Sequence, residues 1–321
     1  MAEGPRSRIL VIKLGALGDF VQAVGPFAAI RRRHGEAEGA HITLLTTGPY
    51  ADFAAATGYF DAVWTDDRPG PFDVGKWLDL RRRLRRGSFR RVYDLQTSGR
   101  SSFYLRLFWP GPYPEWSGVA RGCSHPHANP RRDFLHTLDR QAEQLRVAGI
   151  AHVPAPDLSR IGADTARFGL PDRYALLVPG GARHRPAKRW PAVRFGALAR
   201  WFAGQGIEPV LLGTAAEGGV VDAVRAACGH VRTLAGETDL TDIVQLARGA
   251  VCAVGNDTGP MHLIAAAGCP CVVLYSHESD PALCAQRGPD VTIVRRERLA
   301  DLSQEEVAGA VKVRRPSLTG R

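Results

Sequence analysis

The 321-residue chain has no apolar run of the ~18 residues that a bilayer-spanning helix requires. Its opening residues, Met1 to Arg8, carry no signal-peptide apolar core and lead straight into the first apolar run. No Cys-x-x-Cys pair occurs among its six cysteines, Cys123, Cys228, Cys252, Cys269, Cys271 and Cys284. That spacing argues against a zinc site or a disulfide frame and for buried thiols in a reducing, cytoplasmic compartment. No Asp-x-Asp occurs anywhere. Two carboxylates at that spacing commonly hold a divalent metal on a nucleotide diphosphate, so no metal and no other cofactor is expected. Negative charge is also short: 42 Lys and Arg face 32 Asp and Glu, a formal net charge of +10. Such a surface favours anionic partners. Nothing resembles a helix-turn-helix, RNP or zinc-finger module, so nucleic acid is not the expected partner.

What the chain does contain is short apolar runs alternating with helical patterns. Ile9 to Ile12 is a β-branched run suited to the centre of a parallel sheet. After it, Phe20, Val24, Phe27 and Ile30 recur at helical spacing, with Pro26 expected to kink or split the helix. Further strands are expected at 41–46, 62–64 and 91–95, and an irregular loop at 109–122. From residue 173 the alternation restarts, with strands at 174–178, 210–212, 231–234, 251–254, 271–274 and 291–294. This pattern predicts an α/β protein of two doubly wound parallel sheets, with a ligand cleft between them. The expected boundaries are a first domain over 1–155, a proline-bearing linker over 156–172 and a second domain over 173–321.

The motifs sit at strand ends. The first is Gly15-Ala16-Leu17-Gly18-Asp19, a glycine turn that brings a carboxylate to the mouth of a helix. It is Gly-x-x-Gly-Asp rather than Gly-x-Gly-x-x-Gly, and no acidic residue ends the second strand, which weakens a dinucleotide reading. A further strand end opens into Asp94-Leu95-Gln96-Thr97-Ser98-Gly99-Arg100-Ser101. Next, Pro179-Gly180-Gly181 begins a cationic loop in which Lys188 can reach a phosphate or remain solvated. Lastly, Asn256-Asp257-Thr258-Gly259-Pro260-Met261-His262 follows a strand and opens a helix. Its free amides can hold an anion, although Asp257 and Thr258 can equally serve as caps. Over 73–86, Trp77, Leu80 and Leu84 share one helix face and five arginines lie mostly on the other. That face suits either solvent or an anionic surface.

Taken in order, these motifs resemble glycosyltransferase family 9, the heptosyltransferases of bacterial lipopolysaccharide core assembly. The resemblance runs over nearly the whole chain. It implies the GT-B architecture of two Rossmann-like domains, an acceptor side first and a nucleotide-sugar side second. It implies inverting, metal-independent transfer of a heptose or related sugar from ADP-heptose or a similar donor to a lipopolysaccharide core or lipid A-type acceptor. It makes Asp19 the expected general base. Lys188, Glu217, Asp257, Thr258, Gly259 and His262 become the expected donor-binding residues, and Gln96 and Arg100 the expected acceptor-binding residues. An anionic glycolipid and the cytoplasmic face of the inner membrane are the expected partners. Ser276-His277-Glu278-Ser279-Asp280-Pro281 departs from the Gly-Pro-Thr-Asp-Pro common in the family, which leaves the donor open. A nucleotide-sugar epimerase on the same architecture and a non-catalytic nucleotide-sugar binder are the alternatives.

Overall fold

The computed structural model describes residues 7–182, 184–229 and 231–314. The opening residues 1–6, expected to precede the first strand without a leader, and Arg183 of the cationic loop lie outside the described residues. The chain divides into two compact units, Met1–Arg160 and Ile161–Arg321.

The first unit is built on six parallel strands: β1 (Arg8–Ile12), β2 (His41–Thr46), β3 (Ala62–Thr65), β4 (Arg91–Asp94), β5 (Glu115–Gly118) and β6 (His125–Pro126). They lie in the order β3-β2-β1-β4-β5-β6. The second unit repeats the plan with β7 (Tyr174–Val178), β8 (Glu208–Leu211), β9 (Arg232–Thr233), β10 (Cys252–Asn256), β11 (Cys271–Tyr275) and β12 (Val291–Arg295). Its order is β12-β11-β10-β7-β8-β9, the same topology read from the other edge. In each unit the winding reverses beside the first strand, between β1 and β4 and between β7 and β10. Ligands of open parallel sheets collect at the carboxyl ends of strands there.

Burial explains the composition of the central strands. Ile9, Leu10, Val11 and Ile12 are fully buried, as are Leu176 and Leu177 in β7. Helices cover both faces of a parallel sheet, so its central strands read as continuous apolar runs. In the first unit Leu10, Ile12, Leu45, Leu84, Val92 and Trp116 pack together. In the second, Leu177, Phe195, Phe202, Leu211, Val254 and Leu274 do the same. Each such side chain contributes about 1.5–3 kcal/mol relative to an exposed one.

Several local expectations are corrected or sharpened. The pattern from Phe20 to Ile30 is two helices, Leu17–Gln22 and Val24–Ile30. Pro26 has no N–H to offer the Gln22 carbonyl, so the ladder breaks one turn earlier. A wide π turn follows over Arg31–Glu36 and buries His34, whose Nε2 lies 2.7 Å from the Tyr93 hydroxyl. The segment 109–122, expected as irregular, contains β5. That strand is four residues long with a single large apolar side chain, Trp116, so it has no periodicity to detect. Beyond Ser98, where only a polar strand end is legible, the chain forms a helix over Gly99–Tyr104, capped by the Ser98 hydroxyl. The arginine-rich helix runs over Val74–Arg86. All six cysteines are free thiols: Cys252, Cys269 and Cys271 are buried, the other three partly so. Burial pushes the Cys252 and Cys269 thiols up to about 12, which keeps them inert.

Candidate functional site

In the first unit the site residues hang from the end of β1. Gly15 adopts φ +127°, and a Cβ there would lie 2.9 Å from the Tyr50 ring. Only glycine fits both the backbone and the space. The turn is fixed from three sides. The Leu14 N–H donates to Gln96 Oε1 at 2.9 Å, and the Leu14 carbonyl accepts from Thr47 Oγ1 at 3.1 Å and Arg68 Nη2 at 2.7 Å. Asp19 follows in the first turn of the helix Leu17–Gln22, half-buried, where the N-terminal end of the helix favours negative charge. Beside the turn, a cavity of about 400 Å³ is lined by Leu14, Thr47, Tyr50, Asp66 and Arg68, among others.

Two buried charges support this end of the sheet. Lys13 is buried and donates to the Leu95 carbonyl at 3.2 Å. Burial holds its ammonium below the ordinary lysine value, while the charges of Asp19 and Asp94 act in the opposite direction. Asp94 is fully buried; its Oδ1 accepts the Gln96 and Thr97 N–H groups, and Ser101 also hydrogen-bonds to the carboxyl. Burial pushes the Asp94 carboxyl up to about 6 against those hydrogen bonds.

The two expected acceptor residues separate. Gln96 belongs to the Asp19 turn. Arg100 donates from both terminal nitrogens to the Pro69 carbonyl at 3.2 Å, and its guanidinium lies 5.6 Å from the centre of the Trp77 ring. It lines a different cavity of about 460 Å³, with Pro69, Pro71, Trp77, Phe103 and Leu107.

In the second unit the residues at the β7–β10 switch point form one connected network. Asn256, fully buried, donates to the carbonyls of Pro179 at 2.8 Å and Gly180 at 3.1 Å, and accepts the Trp190 N–H at 3.0 Å. It therefore ties both ends of the cationic loop to the end of β10. Lys188 Nζ lies 2.7 Å from Asp257 Oδ2, and Gln286 Nε2 donates to Asp257 Oδ1 at 3.1 Å. Burial alone would raise the Asp257 carboxyl. The Lys188 ammonium, with hydrogen bonds from Ser279 and Gln286, outweighs it and holds the carboxyl below its ordinary value. Glu217 stands beside the glycine turn: its Oε1 accepts the Gly181 N–H at 2.9 Å, and its Oε2 accepts the Thr214 N–H at 2.8 Å and hydroxyl at 3.0 Å. Thr258 and Gly259 begin the helix Gly259–Ala266, and the Thr258 side chain does not cap it. His262 is buried one turn in.

Sequence reasoning missed Lys13, Tyr50, Arg68, Asp94 as a buried charge, and Gln286. A lysine interrupting the apolar run of β1 was a usable signal for Lys13. Gln286, 29 residues beyond Asp257, has none. The departing loop 276–281 touches this site through Ser279. Among the described residues, no group of three or more His, Cys, Asp and Glu side chains is placed to hold a metal ion. Nor is any described helix long and apolar enough to cross a membrane.

Comparison with known proteins matches residues 77–311 to the family described as glycosyltransferase family 9 (heptosyltransferase). Over 146 residues the chain is 34% identical to lipooligosaccharide heptosyltransferase 2 of Haemophilus influenzae, covering 44% of this chain and 41% of that protein. The matched stretches span less than half the length of the curated relatives. Among solved structures, a glycosyltransferase family 9 protein of Veillonella parvula superposes with TM-score 0.82 at 21% identity, covering 95% of each chain. The ADP-heptose lipopolysaccharide heptosyltransferase II of Escherichia coli gives TM-score 0.76 at 21% identity, covering 94% of this chain and 97% of that one. These likenesses show the fold, two Rossmann-like parallel-sheet units of the GT-B class. With the family matched over most of its length, the chain belongs to glycosyltransferase family 9, the heptosyltransferases.

Proposed function

We propose that this transferase moves a heptose, or a related sugar, from ADP-heptose or a similar nucleotide sugar to a lipopolysaccharide core or lipid A-type acceptor, with inversion and without a metal. The observation that carries the reading is the family match over residues 77–311. The Lys188–Asp257 pair at the β7–β10 switch point supports it.

Asp19 takes the proton of the acceptor hydroxyl as that oxygen attacks the anomeric carbon. The new carbon–oxygen bond forms on the face opposite the leaving group. The bond from the anomeric carbon to the diphosphate breaks, and the nucleoside diphosphate departs with its electron pair. Lys188 and the positive end of the helix Gly259–Ala266 offset the charge that develops there. Asp257 fixes Lys188 in place, and Thr258, Gly259 and His262 line the phosphate and sugar site. Glu217 shapes the glycine turn that borders the donor. Gln96 and Arg100 serve the anionic acceptor, and the protein works as a peripheral protein at the inner membrane's cytoplasmic face.

The test is transfer by the Asp19→Asn variant. Turnover should fall by about 10²–10⁴-fold, the usual contribution of a positioned base, with donor affinity unchanged by calorimetry. Undiminished turnover would sink the role of Asp19.

A further inference from the structure

Six of the large apolar side chains that the first unit leaves exposed fall within one stretch: Phe72, Val74, Leu78, Phe103, Trp109 and Tyr113. Phe72 is 94% exposed, Trp109 67% and Val74 64%, so they protrude rather than line a core. Single exposed apolar residues are ordinary, but a contiguous group marks an interaction surface.

Direct contacts join them. Val74 and Leu78 stand one turn apart on the helix Val74–Arg86, directly after Phe72. The Trp77 ring meets Phe103 edge-on at 5.3 Å. Arg81 and Arg85 reach out from the same helix to the carbonyls of Phe108, Trp109 and Gly111, which brings Trp109 alongside it. Trp109 and Tyr113 then line a cavity of about 800 Å³ together with Arg106 and Arg121.

Positive charge predominates on this face. Along the exposed ridge of the helix, Val74, Leu78, Arg82 and Arg86 follow each other at four-residue steps, apolar first and cationic after. Lys76 and Arg106 are also exposed. From Phe72 to Arg86 there are six cations and two carboxylates, of which Asp79 pairs with Arg82. Protruding aromatic and aliphatic side chains flanked by arginines match an anionic bilayer: the rings enter the headgroup boundary and the guanidinium groups meet lipid phosphates. A protein partner would more often be met by a concave or flat apolar patch with a mixed polar rim.

We infer that the face formed by Phe72, Val74, Leu78, Trp109, Tyr113 and the flanking Arg82, Arg86 and Arg106 docks the transferase on an anionic phospholipid surface. The inference rests on the proposed use of a lipid-anchored acceptor for its purpose, but its physics is independent of the sugar. The Arg100 cavity opens beside Phe103 on this same face, so docking would bring it to the lipid headgroups.

The experiment is sedimentation of the full chain with vesicles of phosphatidylcholine alone and of phosphatidylcholine mixed with phosphatidylglycerol. The wild type should bind the anionic vesicles, release with added salt, and show a blue shift of tryptophan emission on binding. Phe72→Ser combined with Trp109→Ser should weaken binding by about tenfold or more. Arg82→Gln with Arg86→Gln should weaken it by about fivefold per charge at low salt. All four positions are exposed, and unchanged thermal unfolding checks that each variant folds. Transfer from ADP-heptose to a soluble, delipidated acceptor should be unchanged in both variants. Equal binding to neutral and anionic vesicles, variants that bind like the wild type, or binding to an oligonucleotide with none to vesicles each overturns the docking face. Vesicle binding without any transfer overturns the proposed reaction and leaves the docking face standing.

Discussion

The Lys188–Asp257 pair is held out of water: the two side chains are 14% and 7% exposed. Removing one member of a buried pair strands the other, at a cost of about 3–5 kcal/mol. Asp257 keeps the Gln286 and Ser279 hydrogen bonds, so Lys188→Met should cost the lower end of that range in thermal or denaturant unfolding. The double variant Lys188→Met with Asp257→Asn should regain most of the stability and none of the turnover. Recovery of turnover would deny Lys188 a part in the reaction. Asp94 gives a pH signature instead. Its folded value of about 6 lies above the ordinary 3.8, so the unfolded chain releases this proton first. Its contribution is therefore most favourable in acid and is lost as pH rises from about 4 through about 6, a change of roughly 3 kcal/mol. Melting temperatures of the wild type and Asp94→Asn across that window should diverge, with the variant lacking the decline. Parallel curves would contradict the burial of an ionisable Asp94. The identities of both residues are plain in the sequence, but their environments are not. Spacing alone left Lys188 open between phosphate contact and solvent, because its partner lies 69 residues away.

The glycine turns are the elements that shape the candidate sites. Gly180 sits so close to Glu217 that an added Cβ would lie 1.9 Å from Oε1. Gly180→Ala must push Glu217 away, free the Gly181 and Thr214 N–H groups, and open the loop after β7. It should destabilise the protein by about 1–3 kcal/mol and weaken nucleotide binding. Gly219→Ala is the control: a Cβ there meets nothing within 4 Å, and it lies inside the helix Gly218–Cys228. It should be neutral or slightly stabilising. Equal melting temperatures for the two variants would refute the role of the turn. Elements with strong periodicity were legible, among them the helix Val74–Arg86 and the apolar strands β1, β7 and β11. Those that escaped are short and lean on distant partners. β5 is held by the Arg91–Glu115 ion pair at 2.6 Å and by Trp116 rather than by its own pattern. The wide turn over Arg31–Glu36 is set by His34 reaching Tyr93, a contact that no local sequence rule contains.

For the whole molecule, the donor is the property to measure. A ligand that binds only the folded state at about 100 times its dissociation constant adds about 2.7 kcal/mol of stability. A thermal-shift series over ADP-, GDP- and UDP-sugars should single out an ADP-sugar, and the shift should persist in excess chelator. Stabilisation by a UDP-sugar alone would redirect the donor assignment, and loss of the shift in chelator would bring a metal into the site. The sequence by itself determined the alternation of strands and helices, and with it two doubly wound sheets. Apolar run length and glycine placement are local quantities that burial on both faces of a sheet demands. It also marked candidate site residues, since Gly15–Asp19, Lys188 and Asp257 all lie where polar residues break apolar runs. The tertiary structure alone decided what those residues touch. It gave Lys188 to Asp257, turned Glu217 onto the Gly181 and Thr214 amides, placed Gln96 under the Asp19 turn and sent Arg100 to a different cavity. Side-chain pairing over tens of residues depends on how strands order in the sheet, and that order is fixed by packing the whole chain at once.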